Sequence, residues 1–165
     1  MSTNPKTLKL SPLDLIPAKY YTRLALSFGT TETAECLLPK LQASLSETCQ
    51  SIPWLGGKVV PTTDSTTQQP GLQVHWDENE SPTIVNLGSL PGSYVEAAAA
   101  GMPLTTIPDD KWPVPGRIDD HLHNAGAPVF AGGLLSFGDS RDVIVCVCIH
   151  HNVVDTAGIA EVLRI

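Results

Sequence analysis

Hydrophobic and polar positions recur with a period of two along some stretches of this chain and with a period near 3.6 along others, dividing it into predicted strands and helices. The clearest strand is residues 142–150. Val143, Val145, Val147 and Ile149 fall on one of its faces, and Ile144, Cys146 and Cys148 on the other. Being apolar on both sides, it is expected to lie centrally in a sheet. Residues 129–137 read as its neighbour, joined to it by a hairpin through residues 138–141. Shorter strands are predicted at residues 7–10, 20–28, 58–60, 72–76 and 83–86, the second closed by Gly29.

From Thr31 the period changes. Leu37, Leu38, Leu41, Leu45 and Cys49 share one helical face, with Ser46 and Glu47 on the wet side. With Pro39 in the first turn, where its missing donor costs little, the regular helix is expected over residues 38–49. Ser93 and Glu96 form a capping box that opens a short helix over residues 94–100, with Gly101 as its stop. A further helix opens after Asp155 and buries Ile159, Val162 and Leu163. Residues 61–70 are polar and read as a surface connection, while residues 102–128 are proline-studded, aperiodic and expected to form a long loop. The pattern gives an α/β fold, a mixed β-sheet covered by helices around Leu41, Tyr94 and Val162.

Composition adds limits to this picture. A chain of 165 residues, 42% hydrophobic, can build one domain core without disulfide staples. The net charge of -7, without a basic cluster, argues against nucleic acid or an anionic membrane as partner. The first residues lack the apolar core of a signal peptide and no stretch approaches a membrane span, so the expected location is cytoplasmic. Cys36, Cys49, Cys146 and Cys148 are then reduced thiols, the last two being small core residues. His75, on the polar side of its strand, is expected to be solvated.

The chemistry is expected where the central strand ends, in HHNVVD at residues 150–155. His150 and His151 leave the strand in opposite directions, and an imidazole is suited to moving a proton near neutral pH. Asp155, at the start of the following helix, can cap free amides there. One histidine is thereby held on a rigid elbow at the carboxyl end of a strand, where ligands often bind in α/β sheets. A second cluster, DDHLH at residues 119–123, has the composition of a divalent-metal site, yet it reads more simply as polar loop surface, and no metal is expected. The pair Cys146 and Cys148 is not read as a zinc site either, because strand geometry splays the ligands.

HHNVVD followed by Gly158 resembles the HHxxxD signature of the BAHD acyltransferases, which share the chloramphenicol acetyltransferase-like fold with peptide-synthetase condensation domains. LSPLD at residues 10–14, YTRLAL at 21–26, SIPWLGG at 51–57, SYVE at 93–96, AGMP at 100–103 and PVFAGGL at 128–134 occur in an order and spacing similar to the fungal branch that includes trichothecene 3-O-acetyltransferase. The resemblance implies the amino-terminal domain of that fold over residues 1–165, without the carboxy-terminal domain that bears DFGWG and much of the coenzyme A site.

It further implies an acyl-CoA-dependent O-acyltransferase that transfers acetyl to a hydroxyl of a secondary metabolite. Acetyl-CoA or another acyl-CoA would be the co-substrate, and a hydroxylated small molecule the acceptor. His151 matches the family's catalytic base. Asp155 matches its structural aspartate, which usually pairs with an arginine, here Arg23 or Arg117; His150 and Gly158 support the turn. Thr156 departs from the Gly or Ala usual after the aspartate. Because the family site lies between two domains, a second polypeptide or a homo-oligomer is expected to complete it. The alternatives are a non-catalytic binding or scaffold subunit and a histidine-dependent cyclase or isomerase that needs no coenzyme A.

Overall fold

The computed structural model describes residues 6–16, 18–65, 67–138 and 142–164. In chain order these form β1 (Lys6–Lys9), β2 (Tyr21–Phe28), α1 (Ala34–Ser51), β3 (Lys58–Thr63), β4 (Pro70–Trp76), β5 (Ile84–Leu90), α2 (Tyr94–Ala99), α3 (Asp120–Ala125), β6 (Ala127–Pro128), β7 (Phe130–Phe137), β8 (Val143–His150) and α4 (Thr156–Val162). The strands divide between a mixed sheet, ordered β2-β8-β7-β5, and a smaller antiparallel sheet, ordered β1-β4-β3-β6. In the mixed sheet β8 is antiparallel to both neighbours and β5 runs parallel to β7. The expected mixed sheet is therefore present. The second sheet was not distinguished by the pattern, because alternation marks a strand without naming its partners.

Two buried layers explain why β8 is apolar on both faces. Val147 and Ile149 pack with Leu45 and Cys49 of α1, Ile159 and Val162 of α4, and Val59 and Val74 of the smaller sheet. Ile144, Cys146 and Cys148 pack on the other side with Leu135, Phe137, Ile107, Trp112 and Ile118. All four cysteines are free thiols, and burial pushes Cys146 up to about 12, with the neighbouring Cys148 adding to the shift and Arg23 opposing it.

Residues 102–128 are the main correction. In place of a long loop they form 3₁₀ turns at Leu104–Thr106 and Asp109–Lys111, then α3 and β6, and they cover one face of the mixed sheet. Ile107, Trp112 and Ile118 are buried at irregular spacing, so neither period registers. Arg23 of β2 holds the segment down: it donates to Asp109 Oδ1 at 2.9 Å and to the Val114 oxygen at 2.8 Å, and its guanidinium lies 5.0 Å from the Trp112 ring centroid.

Smaller differences have local causes. Helix α1 begins at Ala34, four residues before the expected start, with Pro39 inside it; the Thr33 oxygen accepts from the amides of Cys36 and Leu37. Pro39 and Glu35 are both exposed, so the carbonyl that the proline leaves unmet faces water. Strand β3 continues to Thr63 and pairs there with Pro70, which shortens the expected 61–70 connection. Strand β5 continues past Asn86 through a register shift at Gly88, whose positive φ of 85° favours glycine and interrupts the strand signal. His75 is half-buried, with its Nε2 shielded from water, and so is less solvated than expected. Ser93 caps α2 as expected, but by accepting from the Val95 amide at 3.1 Å and not through the reciprocal bonds of a capping box with Glu96, and Gly101 follows α2 with φ 79°. Of the expected hairpin turn, residues 139–141 lie outside the described residues. Among those described, no helix is long and apolar enough to cross a membrane.

Candidate active site

The two histidines diverge because β8 ends between the two buried layers. His150, the last residue of β8, lies opposite Tyr21 of β2 and is 1% exposed. Its Nδ1 accepts from the Asn152 amide at 3.3 Å, so the neutral ring carries its proton on Nε2. The Tyr21 ring meets it edge-on at 5.7 Å, and the Tyr21 hydroxyl donates to the Pro128 oxygen at 2.9 Å. Burial pushes the His150 imidazole down to about 4, with lesser contributions from the charges of His123, His151 and Lys19.

His151 turns to the opposite face and is half-buried. Its amide donates to the Tyr20 oxygen at 3.1 Å, extending the β2–β8 pairing by one residue. Tyr20 and Thr22 therefore share its face of the sheet. The Tyr20 and His151 rings stack with centroids 4.7 Å apart and planes 24° from parallel. Thr22 Oγ1 lies 3.4 Å from His151 Nδ1.

The elbow beyond β8 is tied locally and at long range. The amides of Val153 and Val154 donate to the His150 oxygen at 3.0 and 3.3 Å. Asn152 Nδ2 donates to the Asp14 oxygen at 2.6 Å, which joins this turn to LSPLD. Asp155 is the N-cap of α4, Oδ1 accepting from the Gly158 amide at 2.8 Å. Of the expected arginine pairing, neither member is seen: Arg23 is committed to Asp109, and among the described residues Asp155 forms no ion pair with Arg23 or Arg117. Thr156 opens α4 in an exposed position. Gly158 leaves room for the preceding turn, since a Cβ there would stand 2.7 Å from Val154 Cγ1.

His151 lines a cavity of about 470 Å³ with Leu13, Asp14, Trp54, Asn152 and Asp155. Tyr20 lines a separate cavity of about 530 Å³, together with Lys19, Arg117 and Asp120. Of the stacked Tyr20–His151 pair, each ring thus lines a different cavity. The DDHLH cluster is not a loop but the start of α3: Asp119 caps the helix by accepting from the Leu122 amide at 2.8 Å. Tyr20, Thr22, Trp54 and Asn152 were not singled out from the sequence. Only the 2.0 period of β2 hinted that Tyr20 and Thr22 share a face, and it could not say that His151 lies on it.

No protein-family model matches the chain, and no curated protein matches it. Solved structures do. F. sporotrichioides TRI101 complexed with coenzyme A and T-2 superposes with a TM-score of 0.80 at 19% identity, covering 96% of this chain and 38% of that one. Apo F. graminearum TRI101 superposes with a TM-score of 0.78 at 16% identity, covering 98% and 38%. Holo-AB3403, a four-domain nonribosomal peptide synthetase, covers 99% of this chain and 12% of its own at a TM-score of 0.54 and 15% identity. The TRI101 proteins are trichothecene 3-O-acetyltransferases with the BAHD and chloramphenicol acetyltransferase-like fold. The chain has that α/β fold, and it spans 38% of the length of the TRI101 structures it matches.

Proposed function

We propose that this chain is the amino-terminal, histidine-bearing domain of an acyl-CoA-dependent O-acyltransferase that acetylates a hydroxyl of a secondary metabolite. The observation that carries the reading is the placement of His151: at the end of the central strand, stacked on Tyr20 and lining a cavity, in a fold shared with TRI101. TRI101 structures contain coenzyme A together with T-2 or deoxynivalenol, which supports a thioester donor and a hydroxylated acceptor here.

His151 Nε2 takes the hydroxyl proton as the acceptor oxygen attacks the thioester carbonyl carbon. Collapse of the adduct breaks the C–S bond, and the imidazolium returns the proton to the departing sulfur, leaving an ester and a free thiol. Asp155 acts on the elbow and not on the substrate, by capping α4. Leu13, in the wall of the His151 cavity, is 74% exposed and Ile16, three residues on, 76%; this pair supports a second wall closing over them from a carboxy-terminal domain, a second polypeptide or another copy of the chain. Such a wall would exclude water and strengthen the electrostatics of transfer. The setting proposed for this chemistry is the cytoplasm.

The test is thiol release from acetyl-CoA by the 165-residue chain with a panel of hydroxylated acceptors, beside the His151→Ala protein. Acceptor-dependent release that falls by about 10²–10⁴-fold in the variant is expected. Release equal in the two folded proteins would count against transfer by this chain and favour the scaffold reading. Product formed without any thioester would favour a cyclase or isomerase.

A further inference from the structure

We infer that Thr22 and Tyr20 are positioning residues for His151: Thr22 holds the resting proton of its ring on Nδ1 and leaves Nε2 as the basic nitrogen, while Tyr20 fixes the plane of the ring. The catalytic meaning of this inference rests on the reading of His151 as a general base, but the geometry stands without it.

A histidine that is to accept a proton through Nε2 must carry its resting proton on Nδ1, and the partner of Nδ1 decides whether it does. The two adjacent histidines differ in this respect. At His150 the Nδ1 partner is the Asn152 amide, which can only donate, so that ring keeps its proton on Nε2. At His151 the partner is the Thr22 hydroxyl, 3.4 Å from Nδ1, which can donate or accept. Once His151 takes a second proton, both ring nitrogens are donors, and the hydroxyl must then accept. Acceptance by Oγ1 is the one arrangement that serves the neutral ring and the imidazolium without turning the hydroxyl.

The backbone supports this role. Thr22 is paired with Ile149 in the β2–β8 ladder, and a β-branched side chain has few rotamers, so its hydroxyl is delivered by the strand. Tyr20 fixes the plane of the ring. The two ring centroids lie 4.7 Å apart with the planes at 24°, and an aromatic face favours a ring that becomes cationic. The long Thr22 contact sets the scale: a several-fold bias between the two tautomers, and not an absolute one.

Long-range nitrogen–proton NMR of the imidazoles in the full chain reads the tautomer directly, with the His151 signals assigned by their loss in His151→Ala and the ring neutral. The expected spectrum has a protonated Nδ1 and a bare Nε2 at His151. Thr22→Ser retains it, and the near-isosteric Thr22→Val shifts the population several-fold toward a protonated Nε2. Tyr20→Phe keeps the ring-current displacement of the His151 ring protons, whereas Tyr20→Leu removes it. The His150 signals, with Nε2 protonated, report whether each variant keeps the fold around the elbow.

A protonated Nε2 at wild-type His151, or a Thr22→Val spectrum equal to wild type, would overturn the inference. Acyl transfer measured alongside separates the two readings. No transfer with the expected spectra would reject the base and keep the positioning. In an active chain the positioning predicts a several-fold lower kcat for Thr22→Val at unchanged KM, and an unchanged kcat with an unchanged tautomer would reject it.

Discussion

The side-chain amide of Asn152 donates to the main-chain oxygen of Asp14 at 2.6 Å, a bond that spans 138 residues and joins the turn carrying His151 to the turn at LSPLD. The second turn is itself held by Asp14, whose Oδ2 accepts from the Ser11 amide at 2.8 Å. Asn152 is 3% exposed, so its amide cannot be replaced by water without opening the elbow. Asn152→Ala is expected to cost about 1–3 kcal/mol. Thermal unfolding checks this: for a chain of this size each kcal/mol lowers Tm by about 2–4 °C. An unchanged Tm would show that the elbow is held by its local bonds alone.

Asp155 acts as an N-cap, and substitutions there should follow capping chemistry. Asp155→Ala is expected to lose about 1 kcal/mol, while Asp155→Asn, which can also accept from the Gly158 amide, stays near wild type. Denaturant midpoints rank the three proteins. If Asparagine proved as damaging as alanine, the carboxylate charge and not the cap would be the working feature.

His150 makes stability depend on pH. Its folded pKa, pushed down to about 4 chiefly by burial, lies below the unfolded value of 6.5, so between these values the unfolded chain binds the extra proton. The stabilisation is present at neutral pH and is lost as pH falls through this window, by about 2 kcal/mol between pH 7 and pH 5. Urea unfolding at the two pH values measures it. In His150→Gln the difference between the two conditions should shrink by that amount, while an undiminished difference would assign the acid sensitivity to other groups.

Gly158→Ala sets two effects against each other. Alanine gains about 1 kcal/mol of helix propensity over glycine. Against that, its Cβ would stand 2.7 Å from Cγ1 of buried Val154, an overpacking that typically costs about 1–3 kcal/mol. Net destabilisation is expected, and Val154→Ala should turn the same substitution from unfavourable to neutral or favourable. A double-mutant cycle measures the coupling; strictly additive effects would remove Val154 as the cause.

Several features were legible in the residues because they are settled within a pleat or a turn. The doubly apolar run at residues 143–149 marked β8 as central, and the face made by Leu41, Leu45 and Cys49 marked α1. Ser93 and Asp155 marked the caps of α2 and α4, since a cap needs only its own helix's free amides. The opposed directions of His150 and His151 followed from the same alternation.

The long-range features were not legible there. Residues 102–128 lack a period because they are buried by position against Ile144, Cys146 and Cys148, without regular structure of their own along most of their length. The separation of the smaller sheet, the diversion of Arg23 to Asp109, the bond from Asn152 to Asp14 and the company of Tyr20 and Thr22 at His151 all depend on strand partners far away in sequence. Local alternation and capping residues are enough to say which segments become strands or helices and where an imidazole stands at a strand end. What surrounds that imidazole follows from the folded arrangement, because register and layer packing are set by contacts between segments and leave no periodic trace in either one.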